Sequence, residues 1–189
     1  RRGEDDGFDA KYEGMLSRNA IAVGYLENRD LSRYYLGPFS PVEQMIREDF
    51  SGQAARRATE ARTALRHFLS MRAGDVVAIK EYGRPDDLLI AGYAVVVERE
   101  GAVYRHDPNG LGHLLNVDFI ERDAEVRVKT TRRDTIHLVD QNDAIWPILF
   151  GPIQQMVEEL AEGSDEPDDD DRGGTSTKNT DPTRRSGWV

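Results

Sequence analysis

Three tyrosines and a row of arginines are the residues of this sequence best suited to chemistry, and that chemistry is binding. Tyr25, Tyr82 and Tyr104 each end, or nearly end, a strand-like run where a loop begins. An aromatic face at such a position can stack on a planar ligand, and stacking on a nucleobase is worth roughly 1–3 kcal/mol per base. Tyr93 and Phe119 lie inside apolar runs and read instead as core. Arg56, Arg57, Arg62, Arg66 and Arg72 recur along a helical stretch whose other face carries Ala58, Ala61, Leu65, Phe68 and Leu69. The arginines form either a basic patch with a ligand or an ordinary solvated face with i to i+4 pairs such as Arg56–Glu60.

Signatures of catalysis are missing. The sequence has no Gly-rich phosphate loop ending in Lys-Ser or Lys-Thr, no Gly-x-Ser-x-Gly elbow and no His-Glu-x-x-His. Asp86, Asp87, Asp107 and Asp123 fall in predicted turns, where solvated capping roles are common, and Asp118 with Lys80 is too little for a nuclease centre. With 0 cysteines there is neither a disulfide framework nor a thiol nucleophile. Zinc would have to use His67, His106, His113 and His137, whose spacings fit no site. A non-enzymatic protein without metal or cofactor is expected.

The formal net charge is −10, of which the segment from Gly163 to Val189 carries −3 and the rest −7. Arginine outnumbers lysine 21 to 4, and surplus carboxylates with that preference resemble a surface adapted to high salt. In such a composition bulk acidity does not argue against nucleic-acid binding. No apolar run is long enough to span a bilayer, and the polar start, Arg1 to Asp9, is unlike a signal peptide, so a soluble cytoplasmic protein is expected.

The elements that must position these residues follow from periodicity and turn chemistry. Residues 1–13 are charged and read as a flexible lead-in. Asn19 to Tyr25 reads as a buried strand, and Asp30 is placed to cap a short helical turn. Ser40-Pro-Val-Glu43 spells a capping box with proline at the first helical position, predicting a helix over 41–50. A second helix is predicted over 53–72, with Gly74 as its C-terminal cap. Five strands are predicted next, over 76–80, 88–98, 102–106, 114–120 and 125–129. Their close spacing demands mostly antiparallel pairing, and closing the sheet into a partial barrel would hide its edges. A polar connection, 130–143, leads to a closing helix over 152–161, and residues 163–189 read as a disordered acidic tail.

An ordered series of short motifs carries a family resemblance. It runs Ala20-Ile-Ala-Val-Gly-Tyr25, Asp30-Leu31, the Arg-bearing helix ending in Phe68-Leu69, and Gly74-Asp75-Val-Val-Ala78, then Ile90-Ala-Gly-Tyr-Ala-Val95 and Val117-Asp-Phe-Ile120. This series resembles the EVE domain and the related YTH domain of the PUA-like superfamily. It is most similar to the N-terminal specificity modules of McrB-type modification-dependent restriction proteins. The resemblance covers about residues 14–125 of a domain expected over 14–130, and implies an α+β fold: a twisted, mostly antiparallel partial β-barrel of about six strands, with helices inserted after the first. It also implies a module that flips a modified, methylated base into an aromatic cage. By motif position Tyr25 takes the place of a usual cage tryptophan and Tyr104 that of a second wall, with Tyr82 nearby. Phe119 stands where tryptophan is common. Asp30 would accept a hydrogen bond from a base amine. Arg56, Arg57, Arg62 and Arg66, with Lys129, Arg132 and Arg133, would contact phosphates. The partner implied is DNA or RNA carrying a modified base, and any motor or nuclease would be a separate NTPase or nuclease subunit. The alternative is a PUA-like domain binding a small molecule or a protein, its cage filled by its own side chains. A hydrolase on the same scaffold is the third.

Overall fold

Apolar residues alternate along the strands on both sides of the sheet, so both faces must be covered. In β2 (Val76–Glu81), Val77 and Ile79 enter one core while Val76 and Ala78 enter another. The computed structural model describes residues 6–81, 87–121, 124, 126–129, 135–154 and 187–188. It is an α+β fold with a mainly antiparallel sheet, as expected. Eight strands build it rather than six, the extra two being two-residue strands.

The remaining strands are β1 (Ala20–Val23), β3 (Asp87–Val96), β4 (Tyr104–Asp107), β5 (Gly112–Glu121), β6 (Val126–Lys129), β7 (Leu138–Val139) and β8 (Gly187–Trp188). The sheet runs β1-β5-β3-β2-β8-β7, with β4 paired to β5 and β6 paired to β3. Two long strands lie at its centre. β3 and β4 follow one another along the same side of β5, Val96 facing Val117 and Tyr104 facing Leu115. The chain between them makes an excursion closed by an Arg99–Ala102 bridge, with Glu100 and Gly101 at positive φ. In the same way β5 and β6 follow one another along β3. No pair joins β1 to β7 among the described residues, so the two ends of this path are not bonded to each other.

The main core lies under three helices, α1 (Asp6–Arg18), α2 (Ser40–Asp49) and α3 (Ala55–Phe68). On the opposite face α4 (Trp146–Phe150) brings Leu149 and Phe150 onto Tyr93, Ile90 and Val128. Tyr93 is core, as its position in an apolar run predicts, and its hydroxyl donates to the Leu149 carbonyl at 2.7 Å.

Several sequence expectations need correction. The lead-in is a helix from Asp6, because Tyr12 and Met15 fall on one face and bury against the sheet. The capping box is not made: Phe39 is the cap residue, no side chain bonds the helix start, and Glu43 pairs with Arg66 instead. α3 is shorter than predicted, and Gly74, at φ +92, lies beyond its end, where its N–H bonds the Val96 carbonyl at 2.8 Å and leads into β2. Ahead of the predicted closing helix, Trp146–Phe150 forms a short helix that was not expected, followed by a 3-10 turn over Gly151–Ile153. Residues 155–161 of the predicted closing helix, and the tail over 163–186, lie outside the described residues. Gly187 and Trp188, predicted as part of the tail, instead form β8, and Trp188 is buried.

Gly92, in the middle of the Ile90–Val95 motif, has a physical reason. The register with β2 slips beside it, and Tyr12 packs close enough for its hydroxyl to donate to the Ala91 carbonyl at 3.2 Å. A β-carbon at position 92 would land on the Tyr12 hydroxyl and 2.8 Å from the Glu121 carbonyl oxygen. Gly92→Ala is therefore expected to cost about 2–3 kcal/mol, as overpacking does when backbone must move. A shift of the urea midpoint with unchanged slope would register it; no shift would mean that α1 slides freely on the sheet.

Candidate functional site

β1 ends at Val23, and the loop after it runs outward over the start of α3. There Tyr25, Glu27, Arg29, Phe50, Gln53 and Arg57 line an open cleft of about 580 Å³, within the usual range of small-ligand sites of about 300–1,000 Å³. The Tyr25 ring is half-buried, its centroid 6.5 Å from that of Phe50, and its hydroxyl shares a 3.3 Å hydrogen bond with the Thr135 hydroxyl. Arg29 bridges the loop to α2 through Asp49 at 3.2 Å. Arg57 is exposed at the cleft wall.

A buried polar relay fixes the shape of this loop. His113, fully buried in β5, donates from Nε2 to the Tyr25 carbonyl at 2.8 Å and the Leu26 carbonyl at 3.2 Å. That sets the tautomer, so Nδ1 must accept, and the Tyr104 hydroxyl donates to it at 2.6 Å. The Tyr104 oxygen in turn accepts the Leu31 N–H at 3.2 Å. Every member of the chain is satisfied, and both ends hold the backbone of the cleft loop. Leu26 needs such holding: its φ of 56 lies in the left-handed region, where a branched side chain costs about 1–2 kcal/mol. Burial pushes His113 down to about 4, so it is neutral at pH 7. Burial also pushes Tyr104 up to about 12.

Gly112 makes the approach possible. Its φ is +80, and a β-carbon there would sit 3.0 Å from the Glu27 β-carbon and 3.2 Å from the Val23 carbonyl oxygen. Beside it the His106 ring stacks on His113 at 5.4 Å and donates from Nε2 to the Glu27 carbonyl at 2.7 Å.

The structure separates residues that the resemblance groups together. Tyr25 lines the cleft. Tyr104 does not: it is buried in the core, stacked on Tyr35 at 6.0 Å, with its hydroxyl spent in the relay. The aromatic neighbour of Tyr25 in the cleft is Phe50. Asp30 stands outside the lining; its carboxylate accepts the Ser32 N–H at 2.8 Å at the start of a 3-10 turn over Ser32–Tyr34. That bond holds the carboxyl below its ordinary range. Asp30 thus braces the start of the turn from one residue before its cap, Leu31, rather than capping it as predicted, and the role toward a base is not visible in its geometry. Tyr82, Arg132 and Arg133 lie outside the described residues.

Of the helix arginines, Arg56 pairs with Glu60 at 2.7 Å, and Arg66 pairs with Glu43 while lying 5.0 Å over the Phe39 ring. Arg57 and Arg62 are exposed on the same helix, Arg57 alone of the four reaching the cleft. Sequence reasoning missed Phe50, which ends an amphipathic helix, and His113, whose only signal was a histidine inside an apolar strand after Gly112. Among the described residues no cluster of His, Asp or Glu has the geometry to hold a metal ion, and no helix is long and apolar enough to cross a membrane.

Comparison with protein-family models, with curated proteins and with solved structures gives no match. Fold and site therefore define the class directly: an α+β protein with an eight-stranded, mainly antiparallel sheet and an aromatic, mixed-charge cleft at the end of its first strand.

Proposed function

We propose that this chain is a nucleic-acid-binding module that takes one modified, methylated base into the cleft beside Tyr25, within a modification-dependent restriction or defence system. The observation that carries the reading is the half-buried Tyr25 ring standing in an open cleft with Phe50 and Arg57. A base entering there stacks on Tyr25, while Glu27 and Gln53 offer an acceptor and an amide to its polar edge. Arg57, with Arg62 on the same helix, faces the phosphates that flank the flipped nucleotide. The PUA-like, EVE-like fold belongs to this reading, now with Phe50 rather than Tyr104 beside Tyr25. A separate NTPase or nuclease subunit acts on what the module finds.

The test is a binding screen of methylated and unmodified duplexes and single strands at two salt concentrations. Selective binding of a methylated probe supports the reading, and equal affinity for all probes refutes it. Affinity should fall steeply with salt. Arg57→Ala is expected to weaken every probe alike and to lower the salt slope by about one, the signature of one lost phosphate contact. Arg66→Ala, whose charge is already met by Glu43, should leave that slope unchanged.

A second reading has its own support. Glu27 and Asp49 put two carboxylates in the same cleft, and Arg56 and Arg66 are ion-paired. These features fit a PUA-like domain that binds a small molecule or a protein and has no nucleic-acid role. Failure of every nucleic-acid probe to bind at low salt would favour it.

A further inference from the structure

The outer side of β2 is completed by a segment from the far end of the chain. β8 lies parallel to β2, Val76 facing Gly187 and Val77 facing Trp188, and antiparallel to β7, with Leu138 facing Trp188 and Val139 facing Gly187. In the sheet order β8 is the link between β2 and β7. Trp188 is only 4% exposed. Its ring rests 5.3 Å from that of His67, and its indole N–H donates to an Asp75 carboxylate oxygen at 3.0 Å. The same oxygen accepts the Arg72 N–H at 2.9 Å, so the carboxylate is fixed before the indole reaches it.

We infer that the gap between β2 and β7 is a recognition slot for an extended Gly-Trp segment, filled in this chain by its own Gly187–Trp188 and open to the same segment supplied as a separate peptide. Three observations set its specificity. Backbone pairing on both sides requires an extended segment, the mode by which peptides add to a sheet edge. The apolar bed by Val77 and His67 takes a large flat ring. The Asp75 oxygen selects a ring with an N–H over one without. With only two residues paired on each side, the segment can open without unfolding the body, as short peripheral elements do.

The test uses the full chain carrying Trp188→Ala and a fluorescein-labelled peptide of residues 181–189, read by anisotropy. The variant chain should bind the wild-type peptide saturably. The wild-type chain should bind it at least tenfold more weakly, since its own segment competes at high effective concentration. A peptide with Trp188→Phe should bind less well than the wild-type peptide, and one with Trp188→Ala not at all. A folded variant chain that binds none of the peptides, or all three alike, overturns the inference. Hydrogen exchange in the wild-type chain is independent of that variant's folding. The Gly187 and Trp188 amides should exchange faster than those of β3 and β5, and equal protection would overturn the slot as a releasable contact.

Discussion

Replacing His113 with phenylalanine is expected to destabilise the fold by about 3 kcal/mol and to flatten its response to acid. The ring volume is nearly kept, so the loss is polar. The buried Leu26 carbonyl and the part-buried Tyr25 carbonyl lose their donor, and the buried Tyr104 hydroxyl loses its acceptor. Each buried group left without a partner costs about 1–3 kcal/mol, and the positive φ at Leu26 loses the bond that holds it. Tyr104→Phe breaks two links, leaving the Leu31 N–H and His113 Nδ1 without partners, and should also cost about 2–3 kcal/mol. Acid reaches the same point from another side. An unfolded histidine takes up a proton near 6.5, whereas folded His113 resists until about 4, first because it is buried, with the nearby His106 adding to the effect. Between those values the unfolded chain binds more protons, so stability declines as pH falls from about 6.5 to about 4. The decline is at most about 1.4 kcal/mol per pH unit, and above 6.5 this group adds no slope. Denaturation curves from pH 7.5 to 4.5 should show a shallower decline for His113→Phe than for the wild type. Parallel declines would mean that His113 is protonated in the fold and that the relay runs differently.

Tyr25→Ala is expected to remove the preference for a methylated probe while leaving the fold intact. A stacking contact of roughly 1–3 kcal/mol corresponds to a loss of about 5- to 150-fold in affinity. The structural cost should be modest, because the ring is only half-buried and its hydroxyl meets an exposed threonine. Tyr25→Phe should keep most of the binding, since stacking needs the ring and not the hydroxyl. Circular dichroism and the denaturation midpoint separate the two effects. A Tyr25→Ala chain that still discriminates methylated from unmodified strands would take the base-binding role away from this cleft.

How much of this was legible in the sequence differs between backbone and site. The central strands and the two helices of the insert announce themselves through periodicity and turn residues, and Tyr93 reads correctly as core. Local signals failed where distant contacts decide. Nothing near Trp188 foretells that Val77 and Leu138 will pair around it. The capping box at Ser40 was outweighed because Arg66, on another helix, draws Glu43 away. That Tyr25 lies beside a cleft was legible because a strand end is a local feature. Tyr104 was misread for the same reason: it also borders a strand end, but Tyr35 and His113 stack on its ring and seal it into the interior. His113 could not be ranked above the other histidines, since its role depends on two carbonyls on the far side of the helical insert.

The two long central strands bear on the order in which the molecule is assembled. β3 through β6 pair with close neighbours in the chain, so little loop entropy opposes their meeting. β1 must instead find β5 across the entire helical insert, Ala20 reaching Asn116. Contacts of that separation form slowly, and the β3–β6 ribbon is the natural folding nucleus onto which β1 later docks. The loop that carries Tyr25 belongs to the late-docking strand and is tied to the early ribbon through His113, His106 and Tyr104. The cleft is thus finished last, and a partly folded chain lacks it.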